Sequence, residues 1–207
     1  MATLTRIKIC GIKTVEDAIF AANAGADAIG LVFYGPSPRC IDVEMAVKIS
    51  ANLPPFVSCV GLFVNENNNE IRRIADAVKL DLIQFHGAET ADQCAALGLP
   101  YIKAVQVKDA EDISQALTHY STAKGLLLDA WHPELAGGTG EQFDWALVPN
   151  ERQTPLILAG GLTAENVATA IRQTTPYAVD VSGGVEAQKG IKSQQKIADF
   201  IAAVASA

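Results

Sequence analysis

The feature that most constrains this chain is a regular alternation of short apolar segments with segments of helical spacing. Eight segments have the composition of β-strands, at residues 6–10, 28–33, 57–64, 80–86, 101–107, 125–129, 155–159 and 177–182. A helical pattern follows most of them. Because each such helix returns the chain to start a parallel neighbour, the alternation predicts a parallel sheet.

Capping residues mark the ends of the predicted helices. The first helix begins at Thr14, with Asp17 three residues later, and ends at Gly25. Asp42 opens the second helix, which ends before Pro54. The remaining helices are predicted at 67–78, 90–97, 109–120, 143–148, 163–173 and 193–204.

Two architectures are compatible with this order of elements. An open doubly wound sheet typically has about six strands and often carries a glycine-rich loop after the first one. Here the first strand ends in Cys-Gly-Ile-Lys, and eight units favour a closed barrel. No linker or change of composition divides the chain, so we expect an α/β fold in which residues 1–207 form a single (β/α)8 TIM-barrel domain with eight parallel strands.

Charge and composition exclude several classes of partner. The formal net charge is −7, so no basic field attracts nucleic acid. No stretch approaches the roughly 18 uncharged apolar residues of a membrane span, and the first six residues do not resemble a secretory signal. We therefore expect a cytoplasmic protein that binds neither nucleic acid nor membrane. The four cysteines have no spacing that suggests a zinc site or a disulfide framework.

Alternation along the strands predicts which polar residues point into the barrel and which point towards the helices, because every second side chain of a barrel strand points to the axis. The residues predicted to point inward include Lys8, Cys10, Gln84, His86, Asp129, Asp180 and Ser182. A buried charge needs a partner, so we expect Lys8 to pair with Asp180. Cys10, His86, Asp129 and Ser182 lie at or near C-terminal strand ends, where barrel enzymes build active sites. The alternative is that these four are incidental polar residues.

A series of short motifs occupies these strand ends. The motifs are KICG at 8–11, SPR at 37–39, GLFVN at 61–65, QFHG at 84–87, LD at 128–129, GGTG at 137–140, FDW at 143–145, LAGGL at 158–162 and DVSGGVE at 180–186. In this order the chain resembles the phosphoribosylanthranilate isomerase family over essentially its whole length. The resemblance implies a TIM barrel that isomerises a phosphosugar in tryptophan biosynthesis.

The reaction that the resemblance implies is an Amadori rearrangement of an aminoaldose to a ketose. An acid opens the furanose ring to an iminium, and a base then removes the C2′ proton. The substrate's own iminium serves as electron sink, so the resemblance implies no cofactor and no metal. By matching position, Asp129 is expected to be the general acid and Cys10 the general base.

A free thiol is mostly protonated at neutral pH, so the site should favour the Cys10 thiolate, for instance through the N-terminus of the following helix or the cationic iminium. The loop at 130–142 is longer than most connections in such folds and is a candidate lid. The role of His86 stays open between contact with substrate, tuning of Cys10 and a structural contact.

Substrate binding is predicted from charge and geometry. Arg39 offers a planar fork for the anthranilate carboxylate that the resemblance implies, and the alternative is a solvated arginine in an exposed loop. A short extra helix is expected near Gly184, after the eighth strand. Backbone N–H groups after strands 7 and 8 are expected to bind the phosphate, at Gly160, Gly161, Ser182, Gly183 and Gly184.

Two other functions remain open from the sequence. One is another phosphosugar isomerase, epimerase or lyase on the same barrel, although no inward His/Asp cluster suggests the metal of an epimerase. The other is a catalytically silent barrel that binds a phosphometabolite and tolerates loss of both Cys10 and Asp129. In every case the expected partner is a small phosphosugar, and the expected assembly is a monomer or a homodimer.

Overall fold

A computed structural model of the chain describes residues 4–130, 142–149 and 152–207. The barrel strands are β1 (Arg6–Cys10), β2 (Ala28–Val32), β3 (Ser58–Phe63), β4 (Leu82–Phe85), β5 (Tyr101–Val107), β6 (Gly125–Ala130), β7 (Leu156–Leu158) and β8 (Ala178–Val181). They pair in sequence order as parallel neighbours, and β8 pairs with β1 to close the barrel. The predicted TIM barrel is therefore confirmed.

Seven α-helices surround the barrel: α1 (Val15–Ala24), α2 (Val43–Asn52), α3 (Asn68–Val78), α4 (Ala91–Ala96), α5 (Ala110–His119), α6 (Val167–Thr174) and α7 (Gln194–Ala205), counting the described residues only. Their ends follow the predicted caps. The Thr14 side chain accepts from the backbone N–H of Asp17, and Gly25 ends α1 in the left-handed conformation with φ 116°. Asp42 and Asn67 cap α2 and α3 in the same way. These local signals alone locate the helix starts.

The predicted sixth helix, at 143–148, is wrong. The chain there forms a single 3-10 turn, Trp145–Leu147, capped by the Asp144 side chain. Pro149 follows, and a proline pushes the residue before it into extended backbone, as Val148 adopts here. No α-helix can form in so short a space.

The following helix begins later than predicted, at Val167 instead of 163. The Asn166 side chain accepts from the Thr163 backbone N–H and donates to the Gly161 carbonyl, and these bonds hold 163–166 as a turn. After β8 the short extra helix expected near Gly184 is present as the 3-10 turn Gly183–Val185. It leads into an unpredicted antiparallel hairpin, β9 (Glu186–Gln188) with β10 (Ile191–Lys192).

The core has an outer and an inner part. Side chains such as Ile9, Ile29 and Phe63 pack outward from the strands against the helices. Inside the barrel a smaller cluster of Ile102, Ala104, Leu127, Ile157, Ala159 and Ala178 fills the side near β5 to β8. Each large side chain buried in this way contributes about 1.5–3 kcal/mol, so the barrel is a rigid frame for polar groups at its mouth. None of the described helices is long and apolar enough to span a membrane.

Candidate active site

The site residues predicted from the sequence lie around one pocket at the C-terminal mouth of the barrel. The pocket lining includes all nine: Cys10, Arg39, His86, Asp129, Gly160, Gly161, Ser182, Gly183 and Gly184. Cys10 ends β1 and Asp129 is the penultimate residue of β6. Their side chains meet at one mouth because parallel strands in a barrel all end on the same face. The thiol and the carboxyl therefore face the same pocket.

A buried ion pair lies beneath Cys10. Lys8 Nζ is 2.7 Å from Asp180 Oδ1, and both side chains are buried, as the sequence predicted. Burial alone would lower the pKa of Lys8, but Asp180 and Cys10 together raise it, so the lysine is held as a cation. The pair spans β1 and β8, where these two residues stand opposite each other in the register.

Burial raises the pKa of the Cys10 thiol above its ordinary value. The Lys8 ammonium acts against this shift, and the Asp180 carboxylate adds to it. The expectation that the following helix or the substrate's iminium favours the thiolate stays a prediction, whereas in the unliganded protein the neutral thiol is favoured. The reason is that removing the thiol from water disfavours its charged form more than the nearby cation favours it.

The two carboxyl oxygens of Asp129 contact the backbone of the next residue and the imidazole of His86. Its Oδ1 accepts from the Ala130 backbone N–H at 2.9 Å, and its Oδ2 lies 3.3 Å from Nε2 of His86. The other ring nitrogen of His86 lies 2.9 Å from the side-chain amide nitrogen of Gln84. Gln84 is completely buried on the inward face of β4. Sequence parity placed Gln84 inward but assigned it no role.

Arg39 is buried and its guanidinium is already engaged. Its Nε lies 2.7 Å from Oε1 of Glu186, and its Nη2 lies 3.0 Å from Oε2, which makes a two-bonded fork. Lys192 Nζ also contacts Glu186, at 3.0 Å. The pKa of Glu186 is lowered because, although burial alone would raise it, its bonds to Arg39 and Lys192 outweigh that effect. Arg39 thus lines the pocket in a fixed position rather than as a free surface group.

Two glycine-rich turns form the wall of the pocket after β7 and β8. Gly160 and Gly161 have φ of 78° and 60°, a region that residues with a side chain rarely adopt. A Cβ on Gly184 would lie 1.9 Å from the carbonyl oxygen of Leu162, so the two turns approach more closely than any larger residue allows. Lys192 Nζ donates to the backbone oxygen of Ser182 at 2.9 Å and stabilises the second turn.

Sequence reasoning missed the residues that hold the binding groups in place. Glu186 is the last residue of the DVSGGVE motif, and this position could have indicated a role in the site. Lys192 lies in a two-residue strand outside any motif, so no sequence pattern indicated its role. The candidate lid at 130–142 falls almost wholly outside the described residues, as does the GGTG motif. Among the residues described, no group of three or more His, Cys, Asp and Glu side chains is arranged to hold a metal ion.

Comparison with known proteins identifies similar chains over nearly the whole length. The family model described as N-(5'phosphoribosyl)anthranilate (PRA) isomerase matches residues 7–203. An N-(5'-phosphoribosyl)anthranilate isomerase of Pseudomonas savastanoi pv. phaseolicola is 57% identical over 199 residues, covering 96% of this chain and 97% of the relative.

Two solved structures have the same fold. One is a phosphoribosyl anthranilate isomerase in complex with reduced 1-(o-carboxyphenylamino)-1-deoxyribulose 5-phosphate, with 42% identity and a TM-score of 0.88. The other is described as mutually generated monomers of the dimeric enzyme from Thermotoga maritima, with 40% identity and a TM-score of 0.88. Each alignment covers 98% of this chain and 100% of the solved one.

Proposed function

Because the chain belongs to the N-(5'-phosphoribosyl)anthranilate isomerase family, we propose that it uses Cys10 as general base and Asp129 as general acid in that family's reaction. The reaction converts N-(5-phosphoribosyl)anthranilate to 1-(2-carboxyphenylamino)-1-deoxyribulose 5-phosphate in tryptophan biosynthesis. Family membership decides against the epimerase, the lyase and the silent barrel. The observation that carries the assignment of residues is that one pocket is lined by a thiol, a carboxyl and two glycine-rich turns.

Asp129 is proposed to start the reaction by protonating the furanose ring oxygen. The bond from C1′ to that oxygen breaks, its electron pair stays on the oxygen, and the anilino nitrogen lone pair forms the C=N bond of an iminium. Ala130 occupies Oδ1, so Oδ2 is the oxygen that presents the proton. A carboxyl that is only 7% exposed is shielded from bulk water during this step.

Cys10 is proposed to remove the C2′ proton from the iminium, giving an enolamine that tautomerises to the ketone. The raised pKa of the buried thiol keeps it neutral before substrate binds. A cationic iminium next to the sulfur lowers that pKa, and Lys8 acts in the same direction, so the thiol releases its proton to solvent at the pocket mouth and the thiolate then takes up the C2′ proton. The base is thus activated by the intermediate it acts on.

Binding of the substrate's two anionic ends is divided between two sets of groups that line the pocket. We assign the phosphate to the backbone N–H groups of the Gly160–Gly161 and Ser182–Gly184 turns, since such turns bind anions without needing a cationic side chain. We assign the anthranilate carboxylate to Arg39. Glu186 takes the Nε and Nη2 edge of that guanidinium, so the carboxylate is received by its remaining N–H groups.

The remaining proposals concern organisation and assembly. We propose that residues 1–207 form one domain in the cytoplasm, with α7 packed back against α1.

We further propose a homodimer rather than a monomer. Phe56 is fully exposed in the loop before β3, at the N-terminal face of the barrel, and a similar enzyme is described as dimeric. A second copy covering Phe56 would leave the catalytic mouth open.

The test is turnover of purified protein, followed as loss of phosphoribosylanthranilate fluorescence in the presence of EDTA. We expect Cys10→Ala and Asp129→Asn each to lower kcat by about 10²–10⁴-fold with little change in KM, as for a positioned base or acid. Cys94→Ala is the matched control, because Cys94 is an equally buried thiol in α4 away from the pocket. Near-normal turnover by Cys10→Ala or Asp129→Asn would contradict the role given to that residue.

A further inference from the structure

Two buried polar atoms of pocket-lining residues have no hydrogen-bond partner among the described residues: Nε2 of His86 and Oε1 of Gln84. His86 is 8% exposed and Gln84 is 0% exposed, so water does not readily satisfy them. Buried polar groups in native proteins are nearly always paired, and one that is not requires an explanation. The unpaired nitrogen of His86 lies beside Asp129, the proposed general acid, which connects the unpaired state with proton transfer from that acid.

The contact with Gln84 determines where the neutral imidazole carries its proton. The amide nitrogen Nε2 of Gln84 lies 2.9 Å from Nδ1 of His86. With the amide oriented so that its nitrogen faces the ring, Gln84 donates to Nδ1, and the ring proton of the neutral imidazole then lies on Nε2. Gln84 is two residues before His86 on the same inward face and is enclosed by the barrel, which restrains its amide.

Nε2 of His86 lies next to the oxygen of Asp129 that reacts. The distance from Nε2 to Oδ2 is 3.3 Å, and the geometry at rest does not make a hydrogen bond. The other oxygen, Oδ1, is already bonded to the Ala130 backbone N–H. The described polar contacts of the His86 ring are therefore with Gln84 and Asp129, and none is with Cys10.

We propose that His86 is a positioning residue whose Nε2–H stabilises the Asp129 carboxylate as it forms, and that Gln84 holds the ring in the tautomer this requires. The inference rests on the proposed role of Asp129 as general acid. When Oδ2 gives its proton to the ring oxygen, it becomes an anion next to an N–H donor that was unpaired beforehand. An interaction that is weak before proton transfer and strong after it lowers the barrier to that step.

The kinetic test compares two replacements of His86. Glutamine carries an N–H at about the position of Nε2, whereas leucine has similar bulk and no donor. We expect His86→Leu to lower kcat by about 10- to 100-fold, less than the 10²–10³-fold loss typical for a donor that touches the substrate itself. His86→Gln should keep kcat within about threefold, and both variants should keep KM within about threefold of wild type. Equal losses in the two variants, or a loss confined to KM, would overturn the proposal.

The spectroscopic test reads the tautomer directly in unliganded protein labelled with ¹⁵N-histidine. We expect His86 to be wholly in the Nε2–H form in wild type and to become a mixture of tautomers in Gln84→Met, with a lowered kcat. The spectrum of His86→Gln assigns the resonances, and the exposed His119 is the internal reference. An Nδ1–H tautomer in wild type, or an unchanged tautomer and kcat in Gln84→Met, would contradict the proposal. The tautomer readings do not depend on turnover, so they separate this inference from failure of the proposed function, which Asp129→Asn tests.

Discussion

Lys8 Nζ and Asp180 Oδ1 lie 2.7 Å apart inside the barrel, on strands that are 172 residues apart in the sequence and adjacent in space. The two groups act in opposite directions on the neighbouring thiol. The lysine lowers the pKa of Cys10 and the aspartate raises it, while burial sets the overall upward direction. The pair therefore controls how readily Cys10 becomes a thiolate.

Lys8→Met should raise the pKa of Cys10 further, and Asp180→Asn should lower it. The measurement is the pH dependence of Cys10 alkylation by iodoacetamide, read by mass spectrometry of its peptide. Cys59 and Cys94 react poorly in this range, because burial raises their pKa values to about 12 and about 11. Shifts of the same sign in both variants would contradict this electrostatic account.

Stability gives a control for those two variants. Each one leaves a buried charge without its partner, which costs about 3–5 kcal/mol of unfolding free energy. The double variant Lys8→Met/Asp180→Asn leaves no unpaired charge and should recover most of that loss. Chemical denaturation of the three proteins measures it, and a double variant less stable than both single ones would argue against the pair.

Gly30→Ala should lower turnover by disturbing the base. A Cβ at Gly30 would lie 2.8 Å from Cys10 Sγ and 3.0 Å from Lys8 Nζ, so one or both must move. A displacement of about 1 Å can cost roughly 100-fold in rate, and we expect a loss of at least about tenfold in kcat. Gly35→Ala is the control, since nothing lies within 4 Å of its Cβ position. Equal activity of the two variants would contradict the prediction.

Glu186→Gln should weaken substrate binding more than catalysis. The carboxylate holds the Arg39 fork and also contacts Lys192, so its loss frees the guanidinium from the position in which it faces the pocket. We expect KM to rise about tenfold or more with a smaller change in kcat, as for lost positioning of a charged binding group. Glu44→Gln on the exposed side of α2 serves as control. A loss in kcat alone would place Glu186 in the chemical step instead.

The same carboxylate predicts how stability depends on pH. The pKa of Glu186 is held below its ordinary value in the folded protein. Its stabilising contribution is therefore present above the pKa of the unfolded chain and is lost as the pH falls through the lower folded-state pKa. Melting temperatures measured from neutral to acid pH should fall more steeply for wild type than for Glu186→Gln. Parallel curves would show that this group is not responsible.

Phe56→Asn should weaken the proposed homodimer. Phe56 is fully exposed at φ 72°, and asparagine tolerates that backbone well, so the substitution removes the apolar ring without adding strain. Sedimentation velocity should show a shift towards monomer, whereas Ile191→Asn, an exposed apolar residue on the opposite face, should leave association unchanged. A wild-type protein that sediments as a monomer at all concentrations would remove the proposal.

Local pattern was sufficient for most of the fold, and together with the family resemblance it named the residues of the site. Strand alternation placed Lys8, Gln84 and Asp180 inside the barrel, and capping residues such as Thr14 and Asp42 located helix starts, because these effects act over a few residues. The same pattern failed at 143–148, where the following proline left room for a single turn.

Partners of buried polar groups, in contrast, were decided by the closed barrel. Arg39 reaches Glu186 across 147 residues, and the imidazole of His86 lies between Gln84 and the carboxyl of Asp129. No local pattern encodes these contacts, because they join segments that come together only when the barrel closes. The strand pattern predicted that polar groups collect at one mouth and that Lys8 pairs with Asp180. The other pairings depend on the tertiary structure, because burial makes each group's behaviour depend on its neighbours in space.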